Sequence, residues 1–259
     1  MTEIDPSWAW SRPNVVTFYA TQRSSRDALH PSEAHFLPRL LKPGLTVLDV
    51  GCAAGGFCRI LRELEPDIRY TGVDLSGEMI AEARRRYPDQ RFEIAPGEKL
   101  PFRDGSFDLV LCTGGTLPMI LSWRSVLQEC WRVSRARVLF DVRAVGEGED
   151  LEDIKQSYIK LAFSDEWEER AVSPYVVITM GSLYKAVMSL TPTPREVLGF
   201  GYYHAVSDMA VTRYREVCMT TLCVGKDPTE GQPVLEWDVP LPWPGLQNGQ
   251  AERGQGYHL

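Results

Sequence analysis

From Leu45 to Val142 the chain alternates short apolar runs with amphipathic stretches, and no other feature narrows its fold as much. Thr46–Val50, Tyr70–Leu75, Arg91–Ala95, Phe107–Thr113 and Arg137–Val142 read as five strands, the first a short apolar run suited to burial on both faces. Gly55–Glu65, Gly77–Tyr87 and Trp123–Val133 between them carry helical periodicity. Strands spaced by helices of this length join through right-handed crossovers, which predicts an α/β fold built on a mostly parallel sheet. Glu196–Tyr203 and Val217–Val224 add two strands, for seven in all with helices on both faces.

The flanks are less regular. Met1–Pro13 reads as an extended arm, and Val15–Leu41 has helical spacing, with Pro31 suited to a first helical turn, before Pro43-Gly44 stops it. After the fifth strand, Gly146–Asp150 reads as a flexible acidic stretch and Ile154–Phe163 as an extra helix. Tyr175–Met180 is a short strand or the lead into a helix ending near Leu190. Beyond Lys226 the chain is rich in Pro, Gly and Gln and is expected to be a loosely packed tail. The organisation expected is therefore an arm and helix over 1–44, a domain over 45–226 and a tail over 227–259.

Charge limits the partners. Twenty-eight Lys and Arg against 35 Asp and Glu leave a net charge of −7, so the phosphate-driven attraction of a nucleic-acid binder is absent as a global feature. None of the six cysteines forms a C-x-x-C pair, and no metal site is read from the chain. With no basic-then-apolar leader and no apolar run of bilayer length, a cytoplasmic location and no membrane span are expected.

The site-bearing segment is Val47-Leu-Asp-Val-Gly-Cys-Ala-Ala-Gly-Gly56. A buried strand passes Asp49, turns at Gly51, Cys52 and Ala53, and opens a helix near Gly55, where absent Cβ atoms let a ligand approach the backbone. Asp74 ends the next strand at the separation expected of a carboxylate that accepts ribose hydroxyls. A dinucleotide site would show G-x-G-x-x-G around a pyrophosphate; here Ala53 replaces the middle glycine and Asp49 precedes the turn. A carboxylate there suits an ammonium group better than two phosphates.

These segments resemble the class I S-adenosylmethionine (SAM)-dependent methyltransferases, in the expected order from about Leu45 to Val142. Val47–Gly56 is similar to that family's glycine-rich first motif. Gly72-Val-Asp-Leu-Ser-Gly-Glu-Met-Ile80 is similar to its second, and Glu98–Val110 to the segment entering the fourth strand. The resemblance implies a Rossmann-like domain with SAM as cofactor, Asp74 on the ribose, Leu75 and Met79 beside the adenine, and a cap insertion over about 146–194 that shapes the acceptor site. Many relatives contact the adenine amino group with an Asp where this chain has Pro96, so Glu98 or the Gly97 and Glu98 backbone is expected to replace it. Phe18–Arg23 resembles a lid helix, with Tyr19 and Arg23 one turn apart and able to face the cofactor carboxylate and the acceptor.

Ligands of open α/β sheets bind outside the carboxyl ends of the strands, which puts Cys112, Thr113 and Gly114, together with Asp141-Val-Arg143, beside the reacting centre. His204 is the first candidate for a catalytic base, with His30, His35 and His258 as alternatives; Arg143 is a second catalytic candidate. Tyr158, Trp167 and Tyr175 load the cap with aromatic surface, and Asp165–Glu169 reads as a solvated face. A small-molecule, natural-product or glycan acceptor is expected, with the oligomeric state open. Two competing readings stand: a nicotinamide-dependent oxidoreductase and a non-catalytic SAM-binding module.

Overall fold

A computed structural model of the protein describes residues 6–161, 171–226, 234–244 and 257–258. Trp167 and the Asp165–Glu169 run lie outside the described residues, as do the side chains of Tyr257 and His258. Five parallel strands form the heart of the sheet: β1 (Thr46–Val50), β2 (Arg69–Asp74), β3 (Arg91–Ile94), β4 (Phe107–Cys112) and β5 (Ser134–Val145). Three short strands follow, β6 (Tyr158–Lys160), β7 (Val172–Pro174) and β8 (Ile178–Thr179). The chain then returns through β9 (Glu196–Ala205), β10 (Ala210–Val211) and β11 (Glu216–Gly225), and ends with β12 (Val234–Asp238) and β13 (Tyr257–His258).

The order across the main sheet is β3-β2-β1-β4-β5-β11-β9-β12-β13, with β8 on the upper end of β5. Chain order reverses between β1 and β4, so their carboxyl ends splay apart and leave a crevice there. The expected seven strands are all present, and β12, β13 and β8 extend them.

The helices cover both faces because the central strands are apolar on both. Leu48 and Val50 pack with α6 (Trp123–Val133) and α7 (Met180–Met188), whereas Val47 packs with α3 (Pro31–Leu40), α4 (Gly56–Leu64) and α5 (Gly77–Arg86). Ahead of these lie α1 (Pro6–Trp10) and α2 (Pro13–Thr21). The arm is thus helical where an extended segment was expected. Ala9 and Val15 are fully buried, in a cluster that joins α1 and α2 to Met79 of α5 and Leu161 of the insertion. The helical stretch read over Val15–Leu41 is broken between α2 and α3, where Arg23 adopts φ +52°.

Two further expectations are corrected. Ile154–Phe163 is not a helix over its described part: Asp153 accepts the Lys155 amide at 2.9 Å and closes a turn, and the chain then pairs as β6 with β7 and β10. An Asx-type turn and strand pairing override the local helical spacing here. The segment after Lys226 also contributes core. β12 joins β9 in parallel, and Leu235, Trp237, Leu241 and Trp243 are buried. Trp237 donates from Nε1 to the Leu241 carbonyl at 2.7 Å and packs its ring on Trp243, over Gly199, where any Cβ would collide with the indole.

Trp237→Ala is therefore expected to cost about 3 kcal/mol or more of stability, typical of emptying a buried aromatic site, measured by urea denaturation. A loss under about 1 kcal/mol would show that this segment is not part of the core.

Candidate active site

The crevice at the carboxyl ends of β1, β2 and β4 is a cleft of about 440 Å³. Its floor is the turn after β1. Gly51 and Gly55 take φ values of +78° and +76°, and Ala53 takes +45°, an unusual conformation for a residue with a Cβ. Asp74 holds this geometry: its Oδ2 accepts the Ala53 amide at 2.9 Å and its Oδ1 accepts the Ser76 amide at the same distance. Gly51 has no room for a side chain, since a Cβ would run into Thr116 of the loop after β4.

Asp49 is buried at the end of β1 and accepts from the Tyr70 hydroxyl at 2.8 Å. Burial pushes its carboxyl up to about 6, with Tyr70 and Arg23 opposing that rise. Asp141, on β5, is also raised to about 6 by burial. It accepts the amides of Gly114 and Gly115 at 2.7 and 3.1 Å and so fixes the loop after β4. Arg23 reaches in from the break between α2 and α3. It pairs with buried Glu33 at 2.5 Å, lies 4.7 Å over the Phe57 ring, and presses against Gly114, where a Cβ would meet its Nη1. The backbone of Gln22 and Arg23 likewise needs Gly56, whose Cβ would come within 2.9 Å of two carbonyl oxygens.

Of the residues marked in the sequence as cofactor contacts, Tyr19, Arg23, Asp49, Gly51, Cys52, Ala53, Asp74, Leu75, Met79, Gly97, Glu98, Thr113 and Gly114 all line the cleft. Tyr19 and Arg23 do so from α2 and the turn after it rather than from one helix face. Gly55 and Cys112 do not: Gly55 backs onto Phe92 and Tyr87, and Cys112 is fully buried in the core beneath β4. Glu98 accepts from the Ser122 hydroxyl, and Leu75 projects at the rim, 51% exposed.

The catalytic candidates fare differently. His204 is exposed on β9, in register with Val217 of β11, and lines no part of the cleft. His30 and His35 are outside it as well, His35 stacking on Phe200 at 4.6 Å. Arg143 is buried beside Tyr19 and Tyr175, short of the cleft wall. The sequence reading missed Trp10, Met119, Ile120, Leu121, Ile154 and Pro174, which line the cleft from α1, from the loop after β4 and from the insertion. Only the tryptophan in an otherwise polar arm was a usable signal.

The turn is not arranged for phosphates. The Gly51 and Cys52 amides donate to Val73 O at 2.8 and 3.0 Å, the Gly55 amide to Cys52 O at 2.9 Å, and the Ala53 amide to Asp74. A pyrophosphate would find these donors spent and two carboxylates nearby, which weighs against a nicotinamide cofactor.

A family model described as a methyltransferase domain matches residues 48–140. A demethylmenaquinone methyltransferase of Thermotoga maritima is 34% identical over 91 residues, covering 35% of this chain and 39% of that protein. A malonyl-[acyl-carrier protein] O-methyltransferase of Serratia marcescens is 31% identical over 153 residues, covering 55% of this chain and 57% of its own. The chain thus spans only part of the length of both curated relatives. A solved SAM-dependent methyltransferase of Methanosarcina mazei shares the fold at a TM-score of 0.51 and 18% identity, covering 76% of this chain and 98% of that one. The matched segment holds the β1 turn, Asp74 and the loop after β4 that build the cleft, and over it the chain is similar to SAM-dependent methyltransferases of the class I, Rossmann-like type.

Proposed function

We propose that this protein binds SAM in the cleft and transfers its methyl group to a small-molecule acceptor. The observation that carries this reading is the pair of carboxylates at the ends of adjacent strands, Asp49 and Asp74, flanking a glycine-bearing turn whose amides are already engaged. Asp74 keeps free lone pairs for ribose hydroxyls. Leu75, Met79 and the Gly97–Glu98 backbone supply the flat, half-apolar walls an adenine needs. Asp49 suits the ammonium and Arg23 the carboxylate of the methionine end.

When bound, SAM supplies an electrophilic methyl group on a sulfonium. The protein's part is to orient and to exclude water: Asp141 fixes the loop of Thr113–Thr116, while Trp10 and Tyr19 close the cleft from the N-terminal helices. Burial pushes the Tyr19 phenol up to about 12, so it stays protonated at neutral pH and serves as a donor rather than a base. With His204 outside the cleft, rate enhancement here rests on positioning. Among the described residues no helix is long and apolar enough to cross a membrane, and a small acceptor reaching the cleft from the aqueous side is the simplest case.

Three outcomes are expected. Asp74→Ala weakens SAM binding at least about tenfold by calorimetry, the scale of a charge-assisted hydrogen bond; unchanged affinity would remove Asp74 from the site. Because Asp49 binds a proton up to about pH 6, and an ammonium is held only by its ionised form, SAM affinity rises as pH climbs from 5 to 7. That rise disappears in Asp49→Asn, and a pH-independent wild type would contradict the assignment. Incubation with methyl-labelled SAM and a small-molecule extract yields a labelled product; SAM binding with no label in any fraction would leave a binding module instead.

A further inference from the structure

The order of the sheet divides the cleft into two unlike sides. The acids that line it, Asp49, Asp74 and Glu98, come from β1, from β2 and from the loop after β3. All three elements lie on one side of the crevice between β1 and β4. The lining cation, Arg23, enters from the turn after α2 and is already paired with Glu33 at 2.5 Å. The charge of the cleft is thus gathered where the two ends of SAM are assigned.

Across the crevice the lining is apolar. Met119 belongs to the loop after β4, and Ile154 and Pro174 to the chain between β5 and β8. That chain is tied to the β5 side of the sheet: β8 pairs with β5, Leu151 bridges Val177, and the Val176 amide donates to the Pro118 carbonyl at 2.8 Å. The Ser173 hydroxyl donates to the Met119 carbonyl at 3.4 Å, which holds Pro174 near Met119. α1 packs on β7 and adds Trp10 to the lining, with the Tyr19 ring 5.4 Å from it. Tyr19, pushed up to about 12 by burial, is neutral. Among the described residues, the loop after β4, the insertion and α1 put no charged side chain into the lining; Arg143 donates to the Pro118 carbonyl at 2.9 Å and lines no part of the cleft. An ion brought against such a surface gives up its water and gains no partner, whereas an uncharged group loses far less.

We propose that this apolar side of the cleft holds the methyl acceptor and selects an uncharged, largely apolar small molecule. The assignment rests on the methyltransferase reading of the same cleft and deepens it, but concerns recognition of the acceptor and not of SAM. Trp10, Met119, Ile154 and Pro174 favour an apolar body by removing it from water. They penalise a carboxylate and an ammonium alike, through hydration that nothing replaces.

Benzyl alcohol, benzoate and benzylamine, close in size and respectively neutral, anionic and cationic at neutral pH, test this by NMR titration with and without S-adenosylhomocysteine. The wild type is expected to bind benzyl alcohol at least about tenfold more tightly than either ion. Ile154→Lys, which puts a cation on the apolar side, should lower the preference for benzyl alcohol over benzoate at least about tenfold, while Ile154→Leu keeps it. Affinity for S-adenosylhomocysteine should be unchanged in both variants. No binding of benzyl alcohol, equal or tighter binding of an ion by the wild type, or an unaltered ratio in Ile154→Lys overturns the proposal. A wild type that fails to bind S-adenosylhomocysteine would instead strike the cofactor assignment, and the probe ratios measured without it still decide this one. The wild-type comparison stands even if a variant fails to fold.

Discussion

The cleft depends on one contact, the carboxylate of Asp74 on the amide of Ala53. Ala53 occupies a left-handed conformation that its own Cβ disfavours, and the turn it belongs to brings Asp49, Gly51 and Thr116 around one space. Asp74 comes from the neighbouring strand, so the turn is held by the register of β1 on β2, where Asp49 lies beside Gly72. Gly72 in turn admits the Cys52 sulfur, which a Cβ would meet at 2.8 Å. Strand register, turn geometry and carboxylate placement are therefore a single constraint. Changing any one of them moves the others.

The second half of the cleft is built on a different principle. Arg23, Glu33, Asp49 and Asp141 place one cation among three buried carboxylates, and burial first, with Glu33 adding to it, pushes Asp49 and Asp141 up to about 6. The break in the N-terminal helices, forced by Arg23 at positive φ, is what lets its guanidinium enter between Phe57 and Gly114. The same break sends α1 and α2 over the cleft, so the cover and the charge centre share one structural cause.

The parallel core was legible because its signal is local: TVLDV, the Gly51–Gly56 turn and Asp74 each carry their physics within a few residues. What escaped depends on distant partners. Ile154–Lys160 has helical spacing but becomes turn and strand because β7 and β10 offer ladders to pair with. Trp237 sits in a Pro- and Gly-rich stretch whose composition suggests a loose tail, yet β9 presents Gly199 to receive it. His204 looked like a base because it closes an aromatic run, but its place opposite Val217 in the long antiparallel pairing of β9 with β11 leaves it exposed and away from the cleft lining. The rest of the cleft wall drew on α1, the loop after β4 and the insertion, three segments with no common sequence signal.

A crystal structure of the protein with S-adenosylhomocysteine tests the central claim most directly. The ribose hydroxyls should lie within hydrogen-bonding distance of Asp74, with the amino group on the Asp49 side of the turn and the adenine between Leu75 and Gly97. A ligand found elsewhere, or a nucleoside whose sugar avoids Asp74, would contradict the account.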